Sequence, residues 1–111
     1  MFAKQIDGQD YSFRMYWDAA TPGPFYYMVV EVSPQEEPDY RPVPMPEEVL
    51  SKIQLALERS AGFPNVPAPV YEEDGRTVRF KVRLPRVPDG SRPIRALDWI
   101  RILERAIKIR L

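Results

Sequence analysis

Residues 70–84, VYEEDGRTVRFKVRL, contain a turn signal between two stretches that favour β-structure. Asp74-Gly75 is typical of a two-residue hairpin loop, because both residues tolerate a positive φ. Such a loop would place Glu73 opposite Arg76 across the hairpin. After the turn, apolar and cationic side chains alternate with the period of two that is typical of a strand with one buried face. The predicted inward residues of this strand are Val78, Phe80, Val82 and Leu84.

Three more strands are predicted on the N-terminal side of this hairpin. A short strand from Phe2 to Ile6 ends at Asp7-Gly8, which is a second hairpin signal. Residues 25–32 are apolar on both faces except at Glu31, a pattern typical of a strand in the middle of a sheet. The strand between them has one apolar face that we expect to be buried, formed by Tyr11, Phe13, Met15 and Trp17.

Two helices complete the predicted elements. Pro46 is expected in the first turn of one helix, Gly62 is expected at its end, and between them runs an apolar stripe of Val49, Leu50, Ile53, Ala56 and Leu57. The second helix is expected from about Arg92 to Arg110, with Ser91 as its N-cap. Residues 34–46 hold five prolines and predict a rigid connector.

The order strand, strand, strand, helix, strand, strand, helix predicts a single α+β domain over residues 1–111. We expect a two-layer domain, with a mainly antiparallel five-stranded sheet and both helices on one face of it. A length of 111 residues suits one such domain.

The composition argues against most catalytic chemistry. The chain has no His and no Cys, so it cannot form the usual zinc sites, a Cys nucleophile or a Ser-His relay. It also has no glycine loop of the kind that binds phosphate. We therefore predict a protein that is not an enzyme, with no cofactor and no metal site.

Location is predicted from what the sequence lacks. No segment has the length and apolarity of a signal peptide or a membrane span, and no disulfide can form. We therefore expect a cytoplasmic protein. The 12 Arg against 4 Lys suggest a GC-rich, bacterial source.

The net charge of zero hides two oppositely charged halves. Residues 1–74 contain 5 basic and 13 acidic residues, and residues 75–111 contain 11 basic and 3 acidic ones. The boundary falls inside the predicted hairpin, so both halves must belong to one fold. Either the two halves form ion pairs with each other, or they form separate charged faces that could steer a charged partner.

The distribution of apolar residues around the last helix predicts a protein partner. Its apolar residues extend beyond a single stripe, so we expect it to be buried on two sides. One contact would be with its own sheet, and the other would be with the first helix or with another protein, such as a second copy in a homodimer. The predicted partner-binding residues are Trp99, Ile102, Leu103 and Ile109.

The sheet face that points away from the helices offers an alternative function. Cations there could neutralise phosphates, and aromatic rings could stack on bases, as in proteins that bind single-stranded nucleic acid. The residues expected on this face are Arg14, Tyr16, Tyr27, Arg79, Lys81 and Arg83. The opposing interpretation is a solvated face of cross-strand pairs, and no RNA-binding motif is present.

Overall fold

The computed structural model describes residues 2–18, 27–35, 45–59, 66–84 and 96–111. In these residues the elements follow the predicted order: β1 (Phe2–Ile6), β2 (Gln9–Asp18), β3 (Tyr27–Pro34), α1 (Glu47–Glu58), β4 (Val70–Tyr71), β5 (Val78–Arg83) and α2 (Ala96–Arg110). The predicted α+β class with a two-layer arrangement is confirmed.

The five strands form one antiparallel sheet in the order β1-β2-β3-β5-β4. The predicted central position of β3 is confirmed, which explains why this strand is apolar on both faces. Across the sheet, Phe13 lies opposite Val32, and Val32 lies opposite Val78. All three side chains are fully buried, so this register aligns the apolar residues of neighbouring strands on one face.

The core lies between that face of the sheet and the two helices. Both helices contribute fully buried side chains to it, including Ile53 and Leu57 from α1 and Leu103 and Ile107 from α2. The spacing of these residues is the three-to-four-residue repeat of an amphipathic helix. The opposite face of the sheet, here called the open face, carries the residues that alternate with the core residues along each strand.

The first hairpin has the predicted turn. Asp7 has a φ of 51° and Gly8 a φ of 83°, and Ile6 lies opposite Gln9 across a two-residue loop. Two consecutive positive φ angles are typical of the type I′ turn, whose twist matches that of the flanking strands.

The second hairpin differs from the prediction in its loop. The Glu72 amide donates to the Thr77 carbonyl over 2.8 Å, and the Gly75 amide donates to the Glu72 carbonyl over 3.0 Å, so the loop contains four residues. Gly75 has a positive φ of 70°, but Asp74 does not. Instead, the carboxylate of Asp74 accepts hydrogen bonds from the backbone N–H groups of Arg76 and Thr77. This local bonding favours the longer loop.

The register of the prediction is confirmed, because Tyr71 lies opposite Val78, but Glu73 and Arg76 belong to the four-residue loop and not to the paired strands. The Arg76 side chain turns inward and its Nη2 donates to the Pro34 carbonyl over 2.7 Å, which leaves the residue only 9% exposed. Glu73 remains exposed in the loop. A four-residue loop directs these two side chains differently from the last pair of a two-residue hairpin.

The start of α1 and the end of α2 are close to the predicted ones, whereas the predicted start of the last helix at about Arg92 lies outside the described residues. Pro46 lies at the N-cap of α1, one position before the predicted first turn, and Arg59 is the C-cap. The predicted stop at Gly62, the N-cap at Ser91 and most of the connector 34–46 lie outside the described residues. In the part of the chain that the structure describes, neither helix has the length and apolarity needed to cross a membrane.

Candidate functional site

The open face carries all six residues that were considered for nucleic-acid binding. The register places Arg14, Glu31 and Arg79 in one row across β2, β3 and β5. The next row joins Tyr16 to Lys81 through Val29, and the row after it joins Tyr27 to Arg83. Each of these six residues therefore lies on the predicted face of the sheet.

Arg79 and Lys81 of this face are paired with carboxylates. Arg79 Nε lies 3.3 Å from Glu72 Oε1, and Lys81 Nζ lies 3.2 Å from Asp18 Oδ2. Lys81 also lies 4.7 Å from the centre of the Tyr27 ring. A phosphate would have to replace these partners, so the geometry does not favour nucleic-acid binding, which stays a prediction. The arrangement matches the solvated face of cross-strand pairs.

Arg14 and Tyr16 are held by one carboxylate in the centre of the sheet. The Tyr16 hydroxyl donates to Glu31 Oε1 over 2.6 Å, and Arg14 Nε lies 4.0 Å from Glu31 Oε2. Burial raises the pKa of Tyr16, and its bond to Glu31 raises it further. Sequence reasoning did not assign Glu31 a role. The available signal was that it is the single charged residue of β3.

Glu72 lies beside this group and connects it to the second hairpin. Burial is the main cause that raises the pKa of Glu72, and hydrogen bonding and repulsion by Glu31 raise it further, whereas Arg79 lowers it. The two carboxyl groups therefore interact directly, while each also has a cation beside it, Arg14 at Glu31 and Arg79 at Glu72. Among the residues that the structure describes, no three carboxylates come together as a set of metal ligands.

A polar hollow of about 510 Å³ lies at the end of the open face, beside the β4–β5 loop. Its charged groups stabilise that loop. Asp74 Oδ1 accepts the amides of Arg76 and Thr77 over 2.9 and 2.8 Å, and Asp74 Oδ2 accepts the Thr77 hydroxyl over 2.6 Å. These bonds, led by that of the Thr77 hydroxyl, lower the pKa of Asp74.

The four predicted partner-binding residues of α2 have different environments. Trp99 is 6% exposed and Leu103 is fully buried, so both belong to the core and are not available to a partner in this structure. Ile102 is partly buried against the core, whereas Ile109 is 70% exposed. The prediction that Trp99 and Leu103 contact a partner is therefore not supported. The two remaining residues, Ile102 and Ile109, are here called the outer strip of α2.

A groove of about 580 Å³ lies where the two helices meet the β1–β2 hairpin, and it is here called the helix-end groove. Buried Ile6 and Ala56 lie at its base. Leu55 and Leu111 add apolar side chains to the lining of the groove. The lining also contains three cationic residues, Lys52, Arg59 and Arg110. Leu55 is not part of the apolar stripe that the sequence predicts for α1, and no sequence pattern connected it with a site.

Comparison of the chain with protein-family models, with curated proteins and with solved structures finds no match. The functional argument therefore rests on the residues of this chain.

Proposed function

We propose that this protein acts without catalysis, by binding another protein through the outer strip of α2. The observation that supports the proposal is the 70% exposure of Ile109. Fully burying an isoleucine side chain contributes roughly 1.5–3 kcal/mol, and the fold leaves most of that contribution unused.

The position of Ile109 relative to Ile102 supports the same proposal. The two residues are seven positions apart, so they lie on the same side of α2, two turns from each other. Ile102 is only partly buried against the core. A single exposed isoleucine is common on protein surfaces, but an exposed isoleucine and a partly buried one on the same side of a helix offer a partner more apolar area than either alone.

A second copy of the chain is the simplest partner to test. In a two-fold dimer each outer strip would be used twice, so one substitution would remove two contacts. We expect light scattering coupled to size-exclusion chromatography at about 100 μM to give the mass of a dimer. That concentration lies well above the micromolar dissociation constants that a specific interface commonly reaches.

The substitution Ile109→Lys tests the surface itself. We expect Ile109→Lys to give a monomer. Its thermal unfolding should equal that of the wild type at a protein concentration low enough for the wild type to be monomeric too, because the side chain is exposed. Val70→Lys is the matched control, since Val70 is 61% exposed on β4, and we expect it to behave like the wild type.

A partner other than a second copy would leave the wild type monomeric. In that case affinity capture from the native host should recover proteins with the wild type and with Val70→Lys, but not with Ile109→Lys. A monomeric wild type whose captured proteins do not depend on Ile109 would contradict the proposal.

A further inference from the structure

The helix-end groove combines an apolar base with an excess of positive side chains. Lys52 forms an ion pair with Asp7, the acidic residue of the groove. Arg59 and Arg110 are exposed, and no carboxylate among the described residues forms an ion pair with either of them. Among the described residues of the lining, three cationic side chains therefore lie near a single acidic side chain, that of Asp7.

The ends of the helices explain part of this arrangement. Arg59 is the C-cap of α1, and Arg110 is the last residue of α2. Cations at these positions stabilise the partial negative charge of a helix C-terminus. Because that partial charge is about half of an elementary charge at each end, the full charges of the two guanidinium groups exceed it.

The apolar lining distinguishes the groove from a simple anion site. Leu55 is 47% exposed although Ala56, its neighbour in α1, is buried at the base of the groove. The volume of about 580 Å³ lies in the range of sites that bind drug-sized ligands. None of the described residues that line it is aromatic, so this part of the lining offers no platform on which a nucleic-acid base could stack.

We propose that the helix-end groove binds an acidic segment of a partner protein, with one or two aliphatic side chains of that segment on the base of the groove and its carboxylates beside Arg59 and Arg110. This inference rests on the proposed function, because it identifies the chemistry of a protein partner. The groove contains Leu111, two positions beyond Ile109, so a partner on the outer strip of α2 would be close to it.

Fluorescence anisotropy with designed peptides tests the inference directly. The probe is a labelled twelve-residue peptide in which Leu residues alternate with Glu and Asp. We expect it to bind the full chain with a dissociation constant on the order of 10–100 μM, the range of a weak peptide contact. A peptide with Lys in place of the acidic residues, and one with Ser in place of Leu, should both bind at least about tenfold more weakly.

A charge-matched pair of variants locates the site. Arg59→Glu combined with Arg110→Glu should weaken binding of the acidic peptide at least about tenfold. Arg101→Glu combined with Arg105→Glu makes the same change of charge at exposed positions of α2 outside the groove. We expect this control to keep most of the affinity, and Leu55→Ser to lower it without unfolding the domain.

The possible failures can be told apart. Absence of acidic-peptide binding, or equal losses in the two double variants, would overturn the groove proposal. So would tighter binding of a single-stranded oligonucleotide or of anionic phosphatidylserine vesicles that displaces the peptide. Failure of the proposed function has a separate readout. In that case the molar mass in solution and the set of captured proteins would both be the same for the wild type and for Ile109→Lys.

Discussion

Asp74 closes the loop of the second hairpin through three hydrogen bonds, to two backbone amides and one hydroxyl. We expect Asp74→Ala to lower the free energy of unfolding by about 1–2 kcal/mol, because the loop amides lose their acceptor. Asp74→Asn should cost less, since its amide oxygen can still accept both backbone N–H groups. Urea denaturation measures both effects, and Glu73→Ala, an exposed change in the same loop, is the control.

Acid should have the same effect as removing the charge of Asp74. Its pKa lies below the usual 3.8 in the folded protein, so its contribution to stability is present above pH 3.8 and is lost as the pH falls through the folded value. The difference in unfolding free energy between wild type and Asp74→Asn should therefore shrink on acidification. A difference that stays constant down to pH 2 would contradict this assignment.

Glu72 should show the opposite dependence on pH. Its pKa in the folded protein is raised above the usual 4.5, so the stability that it contributes is fully present below pH 4.5 and is lost as the pH rises through the folded value. We expect Glu72→Gln to gain stability relative to the wild type as the pH rises from 4 to 7. Denaturation at several pH values measures this, with Glu73→Gln as the control. If Glu72→Gln instead loses stability relative to the wild type as the pH rises, the ion pair of Glu72 with Arg79 contributes more than the burial of its charge and its repulsion by Glu31 cost.

At the scale of elements, α2 has an inner side that holds the fold and an outer strip that does not. Leu103→Ala should lower the unfolding free energy by about 2–5 kcal/mol, because it opens a cavity in the core. Ile109→Ser should change it by less than about 0.5 kcal/mol, since the side chain is exposed. Thermal or urea denaturation at low protein concentration measures both. A large loss for Ile109→Ser in a monomeric sample would show that this residue belongs to the core.

The periodicity of α2 predicted the helix but could not separate these two sides. Seven apolar residues of its predicted face and three beyond it fit several rotations of the helix against the sheet. The packing of Trp99 and Leu103 beside the residues of α1 and β2 selects one rotation. Burial depends on which residues from distant parts of the chain surround a helix, and a helical repeat contains no information on that.

At the scale of the whole molecule, the two oppositely charged halves meet within the sheet. Asp18 and Glu72 belong to the acidic half, and they form ion pairs with Lys81 and Arg79 of the basic half. Other pairs, such as Lys52 with Asp7, lie within one half. Part of the charge separation is thus neutralised across neighbouring strands, as one of the two sequence-based hypotheses expected.

A double-mutant cycle on Asp18 and Lys81 tests this neutralisation. We expect Asp18→Asn and Lys81→Gln to show a coupling free energy of about 0.2–1 kcal/mol at low salt, in urea denaturation. The coupling should fall in 1 M salt, where charges are screened over about 3 Å. Arg101→Gln, at an exposed position of α2, serves as the control for a change of net charge. A coupling that is unaffected by salt would mean that the two side chains interact through packing instead.

The sequence by itself determined the elements of this protein, their order, the central position of β3 and the two faces of the sheet. These follow from local rules, namely side-chain alternation, helical spacing and the turn preference of Asp-Gly. The tertiary structure alone decided the inward turn of Arg76, the burial of Trp99 and Leu103, and the helix-end groove. Each of these depends on atoms brought together from separate elements, such as the Pro34 carbonyl that accepts the Arg76 side chain, and their positions follow from packing and not from any local pattern.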